Sequence, residues 1–155
     1  MNKFTESIPY DEALNKGKEL MKTKKYIIGF FIIVAINTSY RASDILNLKY
    51  GDFLNGNIIM NKELRDAFEI LQKKTPNNKY SPYIFLSQKN KIYRTQSIND
   101  ILKIVFPKYQ ISTHSLRKTF GNRAYERSPN EKTILILSYL FKHSNTTKTK
   151  IYLGI

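Results

Sequence analysis

The sequence has no cysteine and no tryptophan among its 155 residues, and it has only two histidines. Disulfide bonds and thiolate metal sites are therefore excluded. The two histidines have no obvious acidic partners in the sequence, so they match the usual ligand sets of metal sites poorly. We accordingly expect no metal site and no cofactor.

Long hydrophobic runs are also missing. The longest one, YIIGFFIIVAI at residues 26–36, falls short of the roughly 20 residues that a membrane-spanning helix needs. This run is typical of a helix buried in a protein core. The sequence shows no signal peptide, so we expect a cytoplasmic, nucleoid-associated protein without a membrane partner.

Acidic residues are scarce. The chain has 12 Asp and Glu residues against 26 Lys and Arg residues, which gives a formal net charge of +14. Such a charge favours a polyanionic partner, and nucleic acid is the first choice, with a membrane surface as the alternative. The length and the 41% hydrophobic content suit one domain that covers residues 1–155.

Hydrophobic periodicity predicts a mainly helical chain. A short helix after Arg41 is expected to turn Ile45, Leu46 and Leu48 inward and to end at Gly51. Two segments predict extended structure: NGNIIM, which combines a turn signal with β-branched residues, and NNKYSPYIFLS. The predicted fold class is therefore α+β, mainly α with a small antiparallel β-sheet. Other helices are expected in residues 7–22, 26–36, 61–74 and 95–106, and in three segments after Thr113.

The segment THSLRKTFG places His114 and Arg117 three residues apart, at the predicted start of a helix with Thr113 as its N-cap. This spacing puts both side chains on one helical face, close to backbone N–H groups that have no partner within the helix. Such a corner can hold an anion. Taken alone, His114 could equally cap the helix while Arg117 forms a surface ion pair.

Three other candidates are also weak when each is taken singly. Arg41 could pair with Asp44 at a helix start. His143 could be a helix-end residue that the helix dipole favours. Tyr152 is one of 11 tyrosines, most of which are expected to pack in the core or at its rim.

Together these residues resemble the catalytic domain of the tyrosine recombinases, the phage integrase family. The resemblance rests on the segments SYRASDILNLKYGDF, THSLRKTFG, and FKHS followed by TTKTKIYLGI, which occur in the family's order. Tyr152 stands nine residues after His143, as the nucleophile does after the second histidine of the family. The resemblance implies the tyrosine recombinase catalytic-domain fold and five catalytic residues: Arg41, His114, Arg117, His143 and Tyr152.

The resemblance implies strand cleavage and rejoining of double-stranded DNA through a 3′-phosphotyrosyl intermediate. The residue chemistry suits this reaction. Two guanidiniums can hold phosphate oxygens bidentately, and imidazoles can donate a hydrogen bond or shuttle a proton. The pKa of a tyrosine is ordinarily about 10, and clustered positive charge is expected to ease deprotonation of Tyr152.

Several further residues receive supporting roles. Asp44 matches the family's acidic residue after the first arginine, where it would either orient a phosphate-binding residue or simply cap the helix. Contacts to the DNA backbone are expected from four basic residues, each of which could instead belong to a solvated basic face: Lys118, Arg123, Lys148 and Lys150.

One part of the family pattern is missing. The family has a β-hairpin lysine between the first arginine and HxxR, and no residue here takes its place; Lys62 lies at a helix start. A natural loss, a designed deletion or a flexible loop left out of the numbered chain would each explain this. The third is favoured and predicts a chain break near Asn57 and Ile58. The family's N-terminal DNA-clamping domain is missing too, so we expect an isolated catalytic domain.

The predicted function is therefore that of a site-specific recombinase or integrase catalytic domain. A catalytically deficient DNA-binding module of the same fold is one alternative, and a topoisomerase-like DNA relaxer is another. Plasmid relaxation without site preference would distinguish the relaxer from a recombinase. The family implies a homotetramer on paired DNA sites, whereas an isolated domain could be monomeric.

Overall fold

The computed structural model describes residues 5–75 and 81–155. These residues form nine α-helices, which confirms the prediction of a mainly helical chain. In chain order the helices are α1 (Tyr10–Met21), α2 (Tyr26–Asn37), α3 (Ala42–Leu46), α4 (Tyr50–Leu54), α5 (Lys62–Lys74), α6 (Thr95–Val105), α7 (Thr113–Arg127), α8 (Glu131–Phe141) and α9 (Thr146–Leu153).

Helix α2 lies at the centre of the main hydrophobic core. Every residue from Ile28 to Ile36 is buried, because α1, α5 and α7 all pack against this helix. The surrounding helices explain why α2 is apolar on all sides, and they confirm the prediction of a buried helix. Among the described residues, no helix has the length and apolar character that crossing a membrane requires.

Aromatic rings connect α2 to its neighbours. The ring centroid of Phe30 lies 5.5 Å from that of Phe53 on α4 and 5.9 Å from that of Phe85. Phe68 on α5 stacks on Phe53 with a centroid distance of 4.8 Å. Ring pairs at these distances contribute about 0.5–1.5 kcal/mol each beyond their buried area. They hold α4 and α5 against α2 and so fix the base of the region around Arg41.

The expected antiparallel sheet is not confirmed. In residues 5–75 and 81–155 the extended structure amounts to two isolated antiparallel bridges, Lys49 with Tyr83 and Leu86 with Ile92. The segment at 55–60 was predicted as a strand, but Ile59 is 94% exposed. A strand needs a hydrogen-bonding partner, and the hairpin that would supply one is the element that the sequence lacks. Residues 76–80 of the second predicted segment lie outside the described residues.

Two predicted helix ends were wrong. Gly51 lies inside α4 instead of ending the preceding helix, which already stops at Leu46. The N-cap of α7 is Ser112, whose hydroxyl accepts a hydrogen bond from the His114 N–H, and Thr113 is the first helical residue. The predicted break at Asn57 and Ile58, and the hairpin that it implies, stay predictions.

A second, smaller hydrophobic cluster holds the last two helices. It consists of buried Leu137, Phe141 and Leu153, with Phe120 of α7 packed against it. Gly121 of α7 allows this close packing, since a Cβ there would lie 2.6 Å from Leu153 and 3.0 Å from Phe141. The C-terminal helix is thereby brought against the N-terminal half of α7, where His114 and Arg117 lie.

The contact between α1 and α2 depends on Gly29. A Cβ at this position would lie 2.5 Å from the backbone oxygen of Gly17 and 2.9 Å from the backbone nitrogen of Met21. Because backbone atoms cannot rotate away, we expect Gly29→Ala to push the helices apart and to lower the free energy of unfolding by about 1–3 kcal/mol. Urea denaturation followed by circular dichroism measures this change.

Gly51→Ala is the matched control. A Cβ at Gly51 would meet only the side chain of Asn55, at 3.7 Å. Alanine is the better helix former, so this variant should be as stable as the wild type or slightly more so. Equal stabilities of the two variants would contradict the proposed role of Gly29.

Candidate active site

Arg117 is the buried member of the site and is held from two sides. Its Nε donates a hydrogen bond of 2.9 Å to the carbonyl oxygen of Ser39. Its guanidinium carbon lies 4.6 Å from the ring centroid of Phe141. The guanidinium is also close enough to the phenol of Tyr152 for each group to shift the pKa of the other. These contacts fix the plane of the guanidinium and offset part of the cost of burying its charge.

His114 occupies the first turn of α7, one turn before Arg117, and its side chain is partly open to solvent. Two hydrogen bonds fix this end of the helix: Ser112 caps it, and the Thr113 N–H donates to Oδ1 of Asn99 on α6 over 2.8 Å. The structure therefore confirms that His114 and Arg117 lie at a helix start.

Arg41 is brought to the same region by the turn between α2 and α3. Its backbone N–H donates to Oδ2 of Asp44 over 3.3 Å, so Asp44 caps α3 and fixes the backbone at Arg41. The Arg41 side chain is exposed, and among the described residues none accepts a hydrogen bond from its guanidinium. Its charge nevertheless acts on the pKa of Arg117 and on that of both histidines. Arg41 and Arg117 thus lie on one side of the molecule.

His143 follows α8 directly, after Lys142 has turned the chain in a left-handed conformation with φ of 58°. The imidazole packs against two neighbouring aromatic rings, with centroid distances of 5.6 Å to Phe141 and 5.3 Å to Tyr152. Its Nδ1 lies 2.8 Å from Oγ1 of Thr149 on α9. The ring is therefore held by two aromatic contacts and by one hydrogen bond at its Nδ1 edge.

Tyr152 lies near the end of α9 and completes the group. Its hydroxyl lies 3.4 Å from the carbonyl oxygen of His114, to which it donates. Its ring centroid is 5.4 Å from that of Phe141, which therefore contacts Arg117, His143 and Tyr152 alike. The structure brings all five predicted catalytic residues together within one chain.

Burial and nearby positive charge both shift the pKa values of His114 and His143. The pKa of His114 is lowered by burial and then by the charges of Arg117, Lys118 and Arg41. The pKa of His143 is likewise lowered by burial and then by Arg117, Lys148 and Arg41. Because the ordinary value is about 6.5, both imidazoles are neutral at pH 7 in the free protein.

The prediction for Tyr152 needs a correction. Positive charge was expected to ease its deprotonation, and the charges of Arg117 and Arg41 do lower its pKa. Burial raises the pKa more strongly, so the net pKa of Tyr152 lies above its ordinary value. Desolvation of the phenolate outweighs the two guanidiniums when no substrate is bound, and the phenol stays protonated at neutral pH.

The four predicted DNA contacts have different surroundings. Lys118 donates to the carbonyl oxygen of Thr5 over 2.9 Å, and its Nζ lies 5.3 Å from the Tyr152 ring centroid. Arg123 instead stacks on Tyr10, 3.5 Å from that ring's centroid, on the α1 side of α7.

The two lysines of α9 also differ from each other. Lys148 is exposed and close enough to His143 to lower its pKa. Lys150 forms an ion pair of 3.0 Å with Glu131 of α8. Lys118 and Lys148 therefore border the site directly, although Lys118 is also bonded to Thr5. Arg123 and Lys150 are engaged with other parts of the protein.

Sequence reasoning missed three residues that position the site: Ser39, Phe141 and Thr149. Ser39 acts through its backbone carbonyl, which no sequence pattern reveals. Phe141 belongs to an apolar helix and gives no signal beyond hydrophobicity. Thr149 lies six residues after His143 and one helical turn before Tyr152, a spacing that could have identified it. Among the described residues, no cluster of three His, Cys, Asp or Glu side chains could hold a metal ion.

A family model described as the phage integrase family matches residues 56–154. The chain belongs to the phage integrase family, the tyrosine recombinases. This integrase-family chain is also similar to the probable integrase/recombinase YoeC of Bacillus subtilis (strain 168). The two are 28% identical over 165 residues, covering 93% of this chain and 90% of YoeC.

Solved structures share the fold of this integrase-family chain. The XerA recombinase superposes with a TM-score of 0.80 at 18% identity, over 99% of this chain and 62% of the XerA chain. The Tn1549 transposon integrase in complex with circular intermediate DNA gives a TM-score of 0.73 at 20% identity, over 97% of this chain and 61% of the integrase. The chain thus spans about three-fifths of the solved chains that it matches. These similarities confirm the tyrosine recombinase catalytic-domain fold.

The charge of Arg41 provides a test of the site geometry. We expect Arg41→Gln to raise the pKa of both His114 and His143, because it removes a positive charge that lowers them. The chain has only two histidines, so an NMR titration of the imidazoles resolves both. Lys103→Gln on α6 removes the same charge from an exposed position that acts on neither histidine. Equal effects of the two variants would show that Arg41 is not part of the group.

Proposed function

We propose that this chain is the catalytic domain of a site-specific DNA recombinase or integrase that cleaves and rejoins DNA through Tyr152. The observation that carries this proposal is the packing of the Arg117 guanidinium and the Tyr152 ring against the same Phe141, with His143 beside them and the Tyr152 hydroxyl bonded to the His114 carbonyl. A nucleophile and a phosphate-binding group from distant parts of the sequence meet in one place. A purely structural cluster would not need two arginines and two histidines around one phenol.

The proposed reaction is a transesterification at phosphorus. The Tyr152 oxygen forms a bond to the phosphorus as the bond to the 5′ oxygen breaks. The phenol loses its proton, and the departing 5′ oxygen gains one. Arg41 and Arg117 stabilise the charge that develops on the non-bridging oxygens. The ring nitrogens of His114 and His143 lie beside them and act either as hydrogen-bond donors or as acceptors. Rejoining is the reverse attack by a 5′ hydroxyl, which needs no external energy source.

Double-stranded DNA is the proposed partner. The net charge of +14 supports it, as does the presence of DNA in the similar Tn1549 integrase complex. Lys118 and Lys148 are the proposed contacts to the DNA backbone beside the scissile phosphate. Arg123 and Lys150 would have to leave Tyr10 and Glu131 before contacting DNA. Assembly into a homotetramer on paired sites, with a monomer when free of DNA, is part of the same proposal.

A DNA-binding module that has lost strand cleavage is the second candidate, and a specific observation favours it. The family's hairpin lysine, which would protonate the leaving oxygen, has no counterpart in the sequence. The alignment with YoeC spans 165 positions, more than the 155 residues of this chain, so YoeC has residues where this chain has none. The two candidates therefore differ in whether the leaving group can depart.

The leaving group can be changed to separate the candidates. We expect a duplex with a p-nitrophenyl ester on its 3′ phosphate to become covalently attached to Tyr152, because p-nitrophenolate departs without protonation. A pool of duplexes with randomised ends removes the need to know the target site. Denaturing gels and the absorbance of p-nitrophenolate measure attachment. Tyr152→Phe should abolish it without weakening DNA binding, whereas Tyr139→Phe, at a position 83% exposed, should leave it unchanged.

Nicked duplexes with ordinary phosphodiesters complete this test. Attachment to both substrates supports the recombinase, and attachment to the nitrophenyl ester alone indicates a working nucleophile that lacks a proton donor. Attachment to neither would support the DNA-binding module. An adduct with the Tyr152→Phe protein would show that another residue is the nucleophile.

DNA binding by this chain should weaken as salt rises, and single lysines should contribute unequally. We expect Lys148→Gln to reduce the slope of log K against log salt by about 1, because an exposed lysine beside the site loses one phosphate contact. Lys150→Gln should change the slope less, because Glu131 already pairs with that lysine. Fluorescence anisotropy at several salt concentrations measures both slopes. A larger effect at Lys150 would contradict the assigned DNA-binding face.

A further inference from the structure

Thr149 is fully buried on α9, at 0% exposure, and its hydroxyl faces the imidazole of His143. Buried threonines elsewhere in this protein donate to a carbonyl one turn earlier, as Thr38 does to Val34 and Thr119 does to Ser115. Thr149 differs from them. Among the described residues, the partner of its Oγ1 is Nδ1 of His143, at 2.8 Å.

This difference determines which nitrogen of His143 carries the proton. A buried hydroxyl needs an acceptor for its hydrogen, since leaving it without one costs about 1–3 kcal/mol. The acceptor in reach is Nδ1, and only an unprotonated Nδ1 can accept. A neutral His143 must then carry its proton on Nε2.

We propose that Thr149 is a positioning residue that holds neutral His143 in the Nε2–H tautomer, so that the ring presents an N–H donor to a phosphate oxygen of the DNA. This inference rests on the function proposed above, and it assigns His143 the role of hydrogen-bond donor instead of acceptor. Phe141 and Tyr152 pack against the imidazole, and Thr149 holds its Nδ1 edge. The remaining edge carries the donor.

The charges around His143 agree with a neutral donor. Arg117 from α7, Arg41 from the turn before α3 and Lys148 from α9 are the charged groups that face the ring, and all three lower its pKa. Tyr152, the titratable neighbour on α9, stays protonated because burial raises its pKa. A cationic imidazole would add a fourth positive charge beside these groups. A neutral ring with a fixed N–H supplies a hydrogen bond without that repulsion.

Two substitutions distinguish the role of the Thr149 hydroxyl from that of its side-chain packing. Thr149→Ser keeps the hydroxyl, and Thr149→Val keeps the branched shape but has no donor. Long-range ¹H–¹⁵N NMR spectra of the imidazoles report the tautomer directly. We expect the Nε2–H form in the wild type and in Thr149→Ser, and a mixture of tautomers in Thr149→Val. An Nδ1–H tautomer in the wild type, or an unchanged tautomer in Thr149→Val, would overturn the proposal.

Adduct formation with the p-nitrophenyl ester gives the second measurement. Thr149→Val should slow it about tenfold, as expected for the loss of one oriented hydrogen bond, while Thr149→Ser stays close to the wild type. In a His143→Ala background, Thr149→Val should have no further effect, since Thr149 acts through the imidazole. An equal slowing in both backgrounds would show that Thr149 merely supports α9 and would overturn the proposal.

The two measurements also separate this proposal from the one on which it rests. Absence of any adduct with the wild-type protein would contradict the proposed function, whereas the NMR spectra would still decide the tautomer. Thermal unfolding of each variant shows whether slower adduct formation results from partial unfolding of the protein. If Thr149→Val does not fold, the wild type and Thr149→Ser alone decide the proposal through their tautomers.

Discussion

The site depends on a guanidinium that is buried and cannot lose its charge. The Arg117 guanidinium packs on the ring of Phe141 and donates a hydrogen bond to the Ser39 carbonyl. These two contacts offset part of the free-energy cost of burying its charge. Both partners come from elements distant in the sequence. The turn after α2 and the end of α8 must therefore be correctly packed before Arg117 has a place. The proposed phosphate-binding role of Arg117 therefore depends on the same contacts that hold the fold together.

A second consequence concerns Tyr152, the proposed nucleophile. Helices α8 and α9 belong to a small cluster around Phe141 and Leu153, separate from the large core around α2. Gly121 allows that cluster to approach α7 closely. The position of Tyr152 relative to Arg117 is thus set by a few contacts, and it does not rest on the bulk of the core. Since small clusters resist local opening less than large ones do, we expect α9 to open more readily than the helices packed around α2.

Local patterns predicted the helices and the residues that share a turn, but not the contacts between distant segments. The spacing of His114 and Arg117 and that of His143 and Tyr152 are local, and the structure brings both pairs together as expected. Stacking of Arg123 on Tyr10 and pairing of Lys150 with Glu131 connect different helices, and no local pattern contains them. The strand predicted at residues 55–60 was not found for a related reason, because a strand needs a second strand to pair with. Ser112 rather than Thr113 caps α7 because both residue types make good caps, and only the backbone geometry decides between them.

The surroundings of Tyr152 explain why the proposed attack would need both arginines. Burial protects a reactive phenol from water, but it also penalises the phenolate that the proposed attack requires. A DNA phosphate entering the site brings negative charge, which further disfavours a free phenolate beside it. The proton must therefore leave as the bond to phosphorus forms, when the charge passes from the phenol to the phosphate oxygens. At that moment Arg117 and Arg41, whose charges already act on the phenol, would stabilise the same electrons in their new position on the phosphate oxygens.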